Sequence, residues 1–168
     1  ANGAYGTLAT SQMDDNLRYG LSLAGGSLPT ISTNVIFHIR SYSVYMEGNS
    51  PAVFADNFAY GNAYNGIGVY GTLASGTWYA DLPYIVTQNL TLESTGALSL
   101  QPGAAVKFLS NTNLIIRGAL TASGTITDTI AFTSIKDDAY GGDTQQDGGA
   151  TKPNPGDWGT VYFADTSN

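Results

Sequence analysis

The sequence predicts an all-β chain wound as a parallel solenoid of about seven coils. Three observations lead there. Segments superpose when the chain is shifted by about 23 residues, apolar residues alternate within each segment, and Gly, Asn, Asp or Pro punctuates them at short intervals.

The first elements are "RYGLSLAGGS", "SYSVYMEGNS" and "YNGIGVYGTL". A shift of 23 superposes Gly20, Ser43 and Gly66, then Leu21, Val44 and Ile67, then Leu23, Met46 and Val69, and closes on Gly25, Gly48 and Gly71. Each copy is a small residue, an apolar–x–apolar triplet and a turn glycine. The same shift lays Ser27 on Ser50, Ile31 on Phe54, Asn34 on Asn57 and Phe37 on Tyr60. Asn34 and Asn57 are expected to stack as an internal amide ladder that satisfies buried turn backbone. The paired apolar and aromatic residues are expected in core or wall.

The second half repeats at nearly the same length. "LTLESTGALSL" with "AVKF" aligns with "LIIRGALTASG" and "IAF", so that Leu92 falls on Ile116, Gly96 on Gly118, Leu98 on Leu120 and Phe108 on Phe132. Leu90 and Leu92, Val106 and Phe108, Ile130 and Phe132, and Val161 and Phe163 alternate as in strands with one buried face. No window has a helical period. Three short strands per repeat stack coil on coil at the ordinary strand spacing.

Composition narrows the function. Charged residues are 11% of the chain and the net charge is −7, with six scattered Lys and Arg, which argues against a nucleic-acid groove or an anionic membrane surface. No apolar run reaches bilayer length, and the opening "ANGAYG" lacks the basic and apolar regions of a signal peptide. With no cysteine there are no disulfides, thiolate metal sites or cysteine nucleophile. The richness in Tyr, Asn, Thr, Ser and Gly suits an exported protein.

"GALSLQPGAAVKF", "LIIRGALTASGT", "IAFTSIKDDAYGGDTQQDG" and "PGDWGTVYF" resemble the right-handed parallel β-helix repeat proteins of the pectate-lyase-like superfamily, in particular its large secreted surface and adhesin-like members. The resemblance covers essentially the whole chain, and the "GDWG" turn is its most specific part. It implies one right-handed β-helix domain or repeat unit over residues 1–168 and an extracellular or cell-surface location. It also raises polysaccharide cleavage. Hydrolytic members need two or three clustered carboxylates, and lyases need calcium-binding acids with a basic residue. Asp14, Asp15, Glu47, Asp56, Asp81, Glu93, Asp128 and Asp165 bring no such group together with Arg18, Arg40 or Arg117 at the coil period. His38 is the only histidine and reads as a partly buried wall residue rather than a relay member. The chain is therefore expected not to be an enzyme. Its eleven tyrosines offer a wall on which surface glycans could stack, the basis of an alternative carbohydrate-binding or adhesin reading.

One segment breaks the period. Residues 136–157 carry Asp137, Asp138, Asp143, Asp147 and Asp157 among glycines. Phe163 is expected to match Phe132 some seven residues late, which makes the segment an insertion leaving the solenoid at a corner. "DTQQDG" partly follows the alternating oxygen ligands of a calcium loop through Asp143, Gln145 and Asp147, and Asp137, Asp138 or Asp157 would have to complete the set. The competing expectation is a turn whose carboxylates cap backbone N–H groups. Trp158 is expected to plug the base of the loop, its indole N–H held by a loop oxygen.

In the surface proteins it resembles, a "GDWG" coil precedes coils of the "RYGLSL" type, which here come first. Joining Asn168 to the Ala1 of a second copy would restore that order. The expected function is a non-catalytic fibre or cell-surface unit that stacks head to tail on copies of itself by continued β-pairing.

Overall fold

The computed structural model describes residues 3–165. It is all β. The first coil holds β1 (Thr7–Ala9), β2 (Gln12–Asp14) and β3 (Leu21–Leu23). The second holds β4 (Thr30–Ser32), β5 (Val35–Phe37) and β6 (Tyr42–Glu47), and the third β7 (Val53–Ala55), β8 (Phe58–Tyr60) and β9 (Tyr64–Tyr70). A fourth contains β10 (Thr72–Leu73), β11 (Gly76–Trp78) and β12 (Tyr84–Val86). The fifth runs through β13 (Leu90–Leu92), β14 (Ala97–Leu100) and β15 (Ala105–Phe108), and the sixth through β16 (Leu114–Ile116), β17 (Ala119–Ala122) and β18 (Ala131–Ser134). A seventh begins with β19 (Val161–Phe163). Six coils and one strand thus stand where about seven coils were expected.

Every strand pair is parallel. One face is continuous, in the order β3-β6-β9-β12-β15-β18, and carries the predicted matches Leu21↔Val44↔Ile67 and Leu23↔Met46↔Val69. The other two faces are each split, into β1-β4-β7 and β10-β13-β16-β19, and into β2-β5-β8 and β11-β14-β17. The break has a local cause. Ile67 pairs with Tyr84, a coil of only 17 residues after two coils of 23. In that tight coil the backbone of Ala74 bonds Gly48, so β10 meets the turn before β7 rather than β7 itself. Aromatic rings fill the joint: Tyr84 stacks on Trp78 at 4.5 Å, meets Phe54 edge-on, and accepts the Tyr79 N–H on its hydroxyl.

Inward residues alternate as the period requires. Leu23, Val44, Met46, Ile67, Val69, Val86, Val106 and Phe108 line an apolar core along the continuous face. Two register assignments need correction. Phe108 pairs with Ser134 and Val106 with Phe132, because this coil is two residues longer than the repeat length allows. Phe163 pairs with Ile116, on the face after Phe132's, so the expected Phe132–Phe163 match fails while the corner insertion stands.

The corners explain the asparagines. Thr10, Thr33 and Asp56 each take a left-handed backbone (φ 50, 55 and 56), the residue that turns one strand sharply into the next. The following residue in the second and third coils is Asn34 or Asn57. Asn57 Oδ1 accepts the backbone N–H and Nδ2 of Asn34, and Asn57 Nδ2 donates to the Ile31 carbonyl and Asp81 Oδ2. The ladder ends on Asp81, whose carboxyl is pushed up by burial although the Asn57 donors oppose it. Smaller copies occur at Asn62 with Asn65 and at Asn89 with Asn113.

Candidate functional site

The long insertion does not project into solvent. Residues 135–160 fold back over the outer face of the continuous sheet, where the Asn65 N–H donates to the Thr144 carbonyl at 2.7 Å. Lys107, an outward position on β15, donates through Nζ to the Gly142 carbonyl at 2.7 Å. The loop covers it completely, with its neighbour Ile85. Burial lowers the Lys107 ammonium to about 8, against the opposing pull of Asp138, Asp137 and Asp143. A strand residue that alternation assigns to solvent is thus the inner cation of the aspartate loop.

The six expected loop ligands separate. Asp138, Asp143 and Asp147 converge, each offering an oxygen within 4.8 Å of the others. Asp143 caps the N–H groups of Asp147 and Gly148. Asp147 accepts from the N–H groups of Gly149, Ala150 and Thr151 and from the side chains of Thr151 and Gln145. The Thr151 hydroxyl chiefly holds the Asp147 carboxyl below its ordinary range. Gln145 therefore meets the cluster with its NH₂ rather than its oxygen. Asp138 Oδ1 is buried with no hydrogen-bond partner among the described residues.

Asp137 lies apart, bonded to the Thr133 hydroxyl and the Ala139 N–H. Asp157 closes the loop's base by accepting from Lys136 Nζ, Ser134 Oγ and the Asn154 N–H. Those donors, Lys136 first, bring its carboxyl down to about 2. Trp158 stacks on Phe108 at 4.2 Å and 15°. Small Ser134, one coil above Phe108, leaves the room that the indole fills. The indole N–H, expected to meet a loop oxygen, has no hydrogen-bond partner among the described residues.

Two aromatic patches flank the loop. On the continuous face Tyr19, Tyr45 and Tyr70 stack in a column at 4.3 and 4.5 Å, beside Tyr42 on Tyr64 at 4.7 Å. Gly68 makes the wall flat, since a Cβ there would lie 2.8 Å from the Tyr42 ring. Burial, then Tyr64 and Tyr45, hold the Tyr42 hydroxyl above the ordinary phenol range. These rings spend their faces on one another. The second patch is open: Phe58 and Tyr60 are 62% and 41% exposed, beside Phe37, which stacks on Tyr60. They border a cleft of ≈ 370 Å³ between wall and loop whose polar lining includes Asn65, Asp81, Asp143 and Gln146.

His38 departs from expectation. It leaves the wall as a left-handed corner residue (φ 53) one coil after Asp15 (φ 51), and its side chain is 57% exposed. Asp14, Asp15 and His38 gather there. The 23-residue spacing of Asp15 and His38 was the available signal, and a pattern read from apolar strand residues passes over it.

A family model described as right handed beta helix region matches residues 1–77. No curated protein and no solved structure matches the chain. No helix among the described residues is long and apolar enough to cross a membrane. The match over residues 1–77, and the parallel coils that run on with the same continuous sheet to Ser134, give the chain the fold of a right-handed parallel β-helix repeat protein.

Proposed function

We propose that the chain is a non-catalytic structural unit of an extracellular or cell-surface β-helix assembly, joined head to tail to copies of itself by continued strand pairing. The observation that carries this is the open strand edges that the outermost coils present among the described residues. At one end β1, β2 and β3 have no partner on their outer edges among the described residues, and a cavity of ≈ 330 Å³ opens between Leu8, Leu21, Leu23 and Ile31. At the other, Phe163 continues the inward column of Leu92 and Ile116 yet is 66% exposed. Unpaired N–H and C=O groups over open apolar coils are what a following strand covers. All strands run the same way, so the contact is heterologous and builds an open filament rather than a closed ring.

The seam residues 1–2 and 166–168 lie outside the described residues. In solution the chain should form elongated oligomers with an axial repeat of about 35 Å, seven strand spacings. Replacing Leu8 and Leu21 together by lysine should leave monomers with unchanged β-sheet circular dichroism, since charges at an open coil oppose pairing. Scattering and electron microscopy read both. A wild-type chain monomeric at its highest soluble concentration refutes the proposal.

The open Phe58–Tyr60 patch supports a second reading, a carbohydrate-binding or adhesin module. Its acidic lining favours neutral or cationic sugars over uronates, and a glycan array tests it.

Calcium, on the proposed reading, sits at Asp138, Asp143 and Asp147, supported by their convergence and by the unpartnered Asp138 oxygen. Chelator should then speed proteolysis between Asp137 and Asp157 and spare the coils. An unchanged digestion pattern would leave the capped turn and Lys107 as the whole of the loop's support.

A further inference from the structure

The chain's only imidazole sits where two carboxylates aim at one of its nitrogens. His38 Nδ1 lies 3.6 Å from Asp14 Oδ1 and 3.6 Å from Asp15 Oδ1. Both distances exceed a hydrogen bond, and the imidazole makes none among the described residues. Two ligand atoms bound tetrahedrally to one ion at about 2.1 Å stand about 3.4 Å apart, close to this spacing. The ring is held on its other sides. It meets Phe37 edge-on at 4.9 Å and Tyr60 at 6.5 Å, while Gly61, one coil on, leaves space that a Cβ would narrow to 3.3 Å from the ring. The backbone fixes the donors too. Asp14 ends β2 in register with Phe37, and Asp15 and His38 are successive rungs of one left-handed corner.

We propose that Asp14, Asp15 and His38 form a surface site for a divalent first-row transition-metal ion of the zinc or copper class, with water completing its shell. One imidazole nitrogen with two carboxylate oxygens suits such borderline ions. Calcium, which takes six to eight oxygens, is poorly served by this set and better by the loop cluster. The two sites differ in donor chemistry and lie on different faces.

The test is a titration of the full chain with Zn²⁺, followed by calorimetry and by the single His Hε1 proton resonance. The expected result is one equivalent bound with a shift or broadening of that resonance, undisturbed by excess Ca²⁺. Affinity should weaken at least tenfold in His38→Asn and in Asp15→Asn. Asparagine keeps both corners intact, because it tolerates the left-handed backbone and removes only the metal donor. A Zn²⁺ isotherm unchanged in His38→Asn overturns the proposal, as does an imidazole resonance that stays still at saturating metal.

Discussion

Asn57→Ala should cost about 4 kcal/mol of unfolding free energy, the largest loss expected from any single polar truncation in the solenoid. Four groups lose a hydrogen bond at once: the Asn34 N–H, the Asn34 Nδ2 (which keeps the Leu8 carbonyl), the Ile31 carbonyl and one oxygen of Asp81. A buried polar group left unsatisfied costs about 1–3 kcal/mol, and water entering the vacated space recovers part of the sum. The Asp81 carboxyl, already raised by burial, would also face the interior with only the Asn57 backbone N–H among its ladder donors. Asn34→Ala should cost less, because its outer neighbour is the half-buried Ser11 of the terminal coil. Asn113→Ala should cost least, at about 1 kcal/mol, since its rung with Asn89 faces solvent. Urea titrations of the three variants give the ranking. Equal losses would mean the ladder stabilises no more than its separate turns.

The ladder was legible in the sequence because stacking repeats the same requirement in every coil. A residue whose amide must reach the next coil's backbone recurs at the coil length, and so do the apolar triplets at Leu21, Val44 and Ile67. The coils were legible where turns kept their length and lost where they did not. The 17-residue coil at Tyr84 and the 26-residue coil at Phe132 shift register without changing the alternation of apolar residues. Phe108 and Phe132 could therefore be matched by type and still sit on different rungs.

The site was less legible, because its contacts are long-range and polar. Alternation places Val106 and Phe108 inside and Lys107 outside, and the wall obeys it. What buries Lys107 is a loop some thirty residues later, and no local pattern announces where a loop lies down. The spacing of five aspartates and Gln145 suggested six candidate ligands. In the fold, Asp137 and Asp157 are occupied by Thr133 and by Lys136 with Ser134, and only Asp138, Asp143 and Asp147 converge.

Lys107→Met should separate the loop's stability from the solenoid's. In the folded chain the Lys107 ammonium is held near 8, below its unfolded value of 10.5. Between those values the unfolded chain binds more protons, so folding is favoured increasingly as pH rises. Wild-type stability should therefore climb by about 2 kcal/mol from pH 8 to pH 10 relative to Lys107→Met. Above about pH 10 unfolded tyrosines begin to ionise while burial keeps Tyr42 and Tyr84 protonated, which reverses the trend and sets the upper limit of the comparison. At pH 7 methionine removes the cost of burying a charge while keeping most of the packing, so the solenoid should lose little or gain slightly. The loop should lose, because the Gly142 carbonyl gives up its donor and the three carboxylates give up their inner cation. Proteolysis between Asp137 and Asp157 should then quicken while the thermal midpoint of the sheet holds or rises. If stability of the two proteins runs parallel from pH 8 to pH 10, Lys107 is not titrating beneath the loop, and the loop does not lie over β15 in solution.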